Sequence, residues 1–178
     1  MASVIILGHV GLRDGLLREV LTPNHFHALG RVLFSFVILW AYVAYFQLFL
    51  IFLADKPSEV VFFLARGHAG WKVVGPALAI GHFAIPVLLL APKAWKLHSG
   101  VMAAVSAWLL VMHYVDLYYL IMPVYSPDDA GPSWIDAAAL LFVLGLCLTF
   151  CTAMQRGLAL VATRDPLLAR GLRYRSSQ

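Results

Sequence analysis

Four apolar runs, each long enough to cross a bilayer as a helix, constrain this 178-residue sequence more than any other feature. About 20 helical residues rise through the ~30 Å hydrocarbon core of a membrane. The runs occupy 32–54, 71–91, 100–122 and 134–161. In lipid every backbone N–H and C=O must be satisfied within the protein, so such runs form helices. The expected fold is therefore all-α and integral to a membrane: a bundle of four transmembrane helices. Composition agrees, with 62% hydrophobic and 12% charged residues, where soluble domains run near one half and one quarter.

The runs are separated by breakers. Asp55-Lys56-Pro57, Pro92-Lys93 and Pro123 close the first three, and Asp128-Asp129-Ala130-Gly131-Pro132 precedes the fourth. Pro86 falls deep in the second run, where its missing N–H predicts a kink. Residues 1–31 are polar and mixed and read as an N-terminal cytoplasmic segment, a short amphipathic or interfacial stretch followed by a turn at Thr22-Pro23-Asn24. Asn24, after Thr22-Pro23, is placed to cap the first long helix. Residues 60–65 are apolar but too short to cross, and are expected at the interface or against the bundle. Residues 1–8 have neither the basic nor the apolar region of a leader, so no cleaved signal is expected. Residues 162–178 form a basic tail.

Charge sets the expected orientation. With four crossings, the N-terminal segment, the 92–99 link and the tail share one side. They carry Arg13, Arg18, Arg31, Lys93, Lys96, Arg156, Arg164, Arg170, Arg173 and Arg175, against Lys56, Arg66 and Lys72 on the other. Ten cations against three predict that both termini are cytoplasmic, N-in/C-in. The net charge of +4 then serves topology, and no nucleic-acid partner is implied. Trp71, Trp134, Tyr118, Tyr119 and Tyr125 fit an outer aromatic belt, and Trp95 an inner one.

Polar side chains inside such runs are costly and each needs a reason. Gln47, His82, His113 and Asp116 stand out. His82 follows Gly75 and Ala79 and precedes Pro86 at helical spacing, a face that lets another helix come close. His113 and Asp116 are three apart, hence neighbours on one face, and a carboxylate there can orient an imidazole. Gln47 shares a face with Phe36, Trp40 and Val43 and is expected at the depth of His113 and Asp116. Packing alone accounts for the aromatic stripe around Trp40, for Gln47 as interhelical glue, and for Cys147 and Cys151 as small apolar residues. Walker, dinucleotide, CxxC, CxxCH and metalloprotease motifs are missing. The chain therefore has no iron–sulfur or c-type haem motif of its own.

The stretch His25-Phe26-His27-Ala28-Leu29-Gly30-Arg31, with Leu33-Phe34-Ser35-Phe36, Trp40-Ala41-Tyr42, Tyr45-Phe46-Gln47 and Leu50-Ile51, resembles one half of a membrane subunit of bacterial alternative complex III. Gly81-His82-Phe83-Ala84-Ile85-Pro86 and Asp116-Leu117-Tyr118-Tyr119-Leu120-Ile121-Met122-Pro123 follow in the same order. The family is the ActF-type subunit, a relative of NrfD/polysulfide-reductase membrane anchors. The resemblance covers about residues 20–160 and is strongest in the Asp116–Pro123 segment. The family's subunit has two four-helix bundles, of which the C-terminal one is evident here.

This resemblance implies a multi-pass subunit in a bacterial inner membrane, within a quinol:cytochrome c oxidoreductase. Its implied partners are an NrfD-like membrane subunit, an iron–sulfur subunit, c-type cytochromes, quinone and lipid. No covalently bound cofactor is expected. Asp116, His113 and His82 become candidates for a proton path, and Gln47, His82 and Trp40 for a quinone pocket. Two other readings stand beside it. In one, His82 and His113 ligate a b-type haem. In the other, the chain is a non-catalytic scaffold or assembly subunit whose polar residues only join helices. A transporter fits less well, because the four runs contain no internal repeat.

Overall fold

In the computed structural model, residues 1–18, 20–54, 57–68, 70–127, 130–155, 166 and 168–172 are described. They contain helices and no strand. Four helical segments are long and apolar enough to cross a membrane: Pro23–Ala54, Trp71–Leu90, Ser99–Val124 and Trp134–Met154. The chain divides into two compact units, one spanning Met1–Ala130 and one that begins at Gly131.

In the first unit, α1 (Ala2–Arg13) is followed by α2 (Pro23–Ala54), which starts well before residue 32. Thr22, not Asn24, precedes the helix. Pro23 takes the first helical position, where a missing N–H loses no bond. His25 reaches back so that its Nδ1 accepts the Thr22 N–H at 3.1 Å, the reciprocal bond of a capping box. Phe26, Leu33 and Val37 form one stripe of α2. They pack with Leu90, with Met102, Val105 and Leu109 of α7 (Ser99–Ile121), and with Ile5 of α1. A Cβ on Gly30 would lie 3.0 Å from Met102 and 3.1 Å from Lys96, so glycine permits the close approach of α2 to these neighbours.

The amphipathic stretch expected near the N-terminus is the helix α1. α1 packs along α7, with Ile5 fully buried and His9 Nδ1 3.2 Å from Ser99 Oγ. Its apolar positions Ala2, Ile5 and Leu12 turn one stripe to the core, a pattern that a count of charges hides.

The apolar run 60–65 lies in α3 (Pro57–Arg66), which packs on α2, on α4 (Trp71–Leu78) and on the 3₁₀ turn Met122–Val124. Arg66 ends α3 and is only 3% exposed. Pro123 has no N–H to give the Tyr119 carbonyl four residues back. Arg66 Nε donates to that carbonyl at 3.0 Å, and its guanidinium also donates to Leu120 O and Phe62 O, both at 2.7 Å. A buried cation at the C-terminal end of α7 is thus held by carbonyl dipoles. Burial pushes the Arg66 guanidinium below its usual range, while Tyr119 acts the other way.

Trp71, expected in an aromatic belt, is fully buried instead. Its Nε1 donates to Ser126 O at 2.9 Å, and its ring lies against Tyr118 and Tyr119. The second apolar run is α4, then a π-helical segment Ala79–Ala84, then α5 (Ile85–Leu90). Pro86 is accommodated by this widened turn. The Ile85 N–H reaches Ile80 O, the i→i−5 bond of a π-helix. In that register the next carbonyl, Gly81 O, would need an N–H from Pro86, which has none. Trp108 supplies it, its Nε1 donating to Gly81 O at 2.8 Å. α6 (Lys93–Lys96) links α5 to α7.

The second unit contains α8 (Trp134–Gln155) and the short α9 (Leu168–Leu172). Ser133 and Asp136 form a capping box: the Ser133 N–H donates to Asp136 Oδ2 at 2.7 Å, and the Ile135 N–H to Ser133 Oγ at 3.4 Å. Thr149 turns its hydroxyl back to Gly145 O at 2.7 Å, and Thr152 to Thr149 O at 3.0 Å, so both satisfy themselves within the helix. Cys147 and Cys151 are free and exposed. Residues 156–161 of the fourth expected span, and the tail cations Arg156, Arg164, Arg173 and Arg175, lie outside the described residues.

Candidate functional site

Trp40, in the middle of α2, sits between two of the polar residues singled out from the sequence. Its indole Nε1 donates to Asp116 Oδ2 of α7 at 2.9 Å. Its ring face stacks on His82, with centroids 4.1 Å apart and planes inclined by 27°. His113, one turn before Asp116, presents its ring edge-on to His82 at 6.1 Å. Four side chains from α2, the π segment and α7 therefore converge.

Each is placed by a local cause. The π turn that Pro86 requires includes His82, and its extra residue shifts the angular position of the imidazole relative to a straight α-helix. The widened turn meets α7 closely: a Cβ on Gly81 would lie 2.6 Å from Met112 Sδ. The absence of a side chain at residue 81 is what lets this segment lie against α7. Gly75 acts similarly six residues earlier, where a Cβ would lie 3.2 Å from the Tyr119 hydroxyl. His113 and Asp116 share a face of α7 by their spacing of three.

The environments differ. His82 is 6% exposed, and its Nδ1 is buried without a hydrogen-bond partner. Trp40 and Asp116 are half-buried, and His113 is exposed. A buried polar nitrogen left unpaired costs about 1–3 kcal/mol, so its retention requires a reason other than packing. The arrangement joins an exposed imidazole, a buried one and a carboxylate over a few ångströms. Imidazole and carboxyl groups exchange protons, and the Trp40 indole gives one Asp116 oxygen a hydrogen-bond donor.

Gln47 does not join this group. It shares Trp40's face by its spacing of seven but lies about 10 Å further along the axis, and it is exposed. Trp40, not Gln47, is level with Asp116. Asp116 is in turn engaged by Trp40 rather than by His113, the neighbour that spacing suggested. The residue undervalued from sequence is thus Trp40. An indole N–H in the middle of an apolar run needs an acceptor, and the Asp116 carboxyl group of a neighbouring apolar helix is that acceptor.

Among the described residues, no group of three or more His, Cys, Asp or Glu side chains is arranged to hold a metal ion. No protein-family model and no curated protein matches the chain.

Proposed function

We propose that this chain is a membrane subunit of a respiratory quinol:cytochrome c oxidoreductase of the alternative complex III type. In this reading it lies N-in/C-in in a bacterial inner membrane, beside an NrfD-like subunit, an iron–sulfur subunit and c-type cytochromes. Oxidation of a quinol releases two electrons and two protons. The electrons leave through carriers on other subunits. Asp116, His82 and His113 receive and pass on protons, and Trp40 and His82 line the approach of the quinol.

The observation that carries this reading is the contact of Trp40 with both Asp116 and His82, whose Nδ1 has no partner. A scaffold gains nothing from an unpaired buried imidazole, whereas a proton carrier needs one nitrogen free to accept. The membrane placement is supported by the four long apolar helices and by the charge bias.

Purification of the tagged native protein in mild detergent, with subunit mass spectrometry and an optical spectrum, tests the assembly. Co-purification with an iron–sulfur subunit and c-type cytochromes is the expected result. A lone chain without redox partners defeats it, and a Soret band from the chain alone turns the assignment to a b-type cytochrome. Within the complex, Asp116→Asn keeps an oxygen for Trp40 but cannot exchange protons as a carboxylate does. Quinol oxidation should fall about 10²-fold while assembly persists. Unchanged turnover removes Asp116 from the mechanism. Intact electron transfer with a weakened complex leaves a scaffold.

A further inference from the structure

A second set of polar groups lies away from this cluster, where the first turns of α2 meet α6. His27 is 6% exposed, and its Nδ1 is buried with no hydrogen-bond partner. Lys96 is 7% exposed. Arg31 follows His27 by one turn of α2, and Lys93 and Lys96 lie on α6, which packs against α2. Burial first, and then the neighbouring Arg31, push the Lys96 ammonium below the usual lysine range.

The lysine is held in place. Its stem crosses α2 at Gly30, where a Cβ would lie 3.1 Å from Lys96 Cγ, and its Nζ stands 5.2 Å from the centroid of the Phe34 ring. Arg31 is exposed beside it and lines an open groove of about 300 Å³ with Ala28, Val32 and Ser35. Three cations and an imidazole whose Nδ1 lacks a partner are thus carried by α2 and α6 where these helices pack together, and no ion pair to them is present among the described residues. Holding three cations close together without a counter-charge is unfavourable. A bound anion would remove that penalty.

We propose that His27, Arg31, Lys93 and Lys96 form a binding site for a phosphate group. An arginine fork beside point-charge lysines suits the several oxygens and the charge of phosphate. The site lies at the end of the first apolar helix and at the link between the next two, where phospholipid phosphates stand if these helices cross a membrane. The phosphate then belongs to an anionic lipid headgroup; the same residues would also take free inorganic phosphate. Nothing in this proposal depends on the redox reading.

The test uses the full chain in neutral detergent. Native mass spectrometry follows titration with phosphatidylglycerol and with phosphatidylcholine of the same acyl chains. Thermal melting is followed with sodium phosphate and with sodium chloride at equal ionic strength. Wild type should retain phosphatidylglycerol preferentially, with affinity about tenfold lower in Lys96→Met, the equivalent of one charge-assisted bond. Arg31→Gln, an exposed change that leaves the core intact, should weaken it in the same direction and decides the matter if Lys96→Met does not fold. Stabilisation by inorganic phosphate in wild type alone, without lipid preference, supports the site and makes soluble phosphate its ligand. Equal retention of both lipids by wild type and variants, with no phosphate effect, overturns the proposal.

Discussion

Arg66 shows how one side chain can organise an end of the molecule. It is buried, donates to three backbone carbonyls, and joins the end of α3 to the end of α7. Its guanidinium also lies 3.5 Å from the Phe62 ring centroid. Replacement by Met keeps the stem but leaves Tyr119 O and Leu120 O without this donor. The expected cost is about 2–4 kcal/mol, read as a lower melting temperature in detergent. Arg66→Lys should recover only part of it, because an ammonium cannot span the same carbonyls as a planar fork. Equal stability of Arg66→Met and wild type would mean that water already serves these carbonyls. The charge of Arg66 was visible in the sequence; its burial was not. A cation near an apolar run is ordinarily read as a topology marker, and only the missing N–H of Pro123 hints that a carbonyl there needs a donor.

The π segment is the element on which the candidate site depends. A proline predicts a disturbed helix, and Pro86 does disturb it, but the disturbance takes the form of a widened turn that carries His82. Trp108 completes that turn through Gly81 O. Trp108→Phe retains the aromatic ring and removes the indole donor. A loss of about 1–3 kcal/mol is expected from the orphaned carbonyl. If the proposed quinol reading holds and the turn sets the position of His82, the same variant should also slow proton-coupled quinol oxidation. Loss of stability with full turnover would confine Trp108 to a structural part. Such a pairing is hard to read from sequence, since it links Gly81 and Trp108 across two helices and depends on the register of a single turn.

Over the whole chain, the charge bias makes a topological prediction. Reporter fusions that are active only in the cytoplasm should be active at both ends, and alkaline phosphatase fused at either end should be inactive. Opposite behaviour at the two ends would require an odd number of crossings and overturn the four-span reading. The sequence by itself determined the helical class and the four long apolar segments, because both follow from local length, composition and the need to satisfy backbone groups in apolar surroundings. It also marked His82, His113 and Asp116, because polar groups inside such segments are expensive wherever the helices face. Helix rotation, register and docking were left to the tertiary structure. That structure joined Trp40 to Asp116, set Gln47 apart, buried Trp71 and packed α1 against α7. The physical reason is that membrane-scale hydrophobicity is a sum over neighbouring residues, whereas a site is made by a few pairs distant in sequence. Those pairs meet only after glycine contacts, proline register shifts and carbonyls lacking an N–H partner have fixed how each helix is turned.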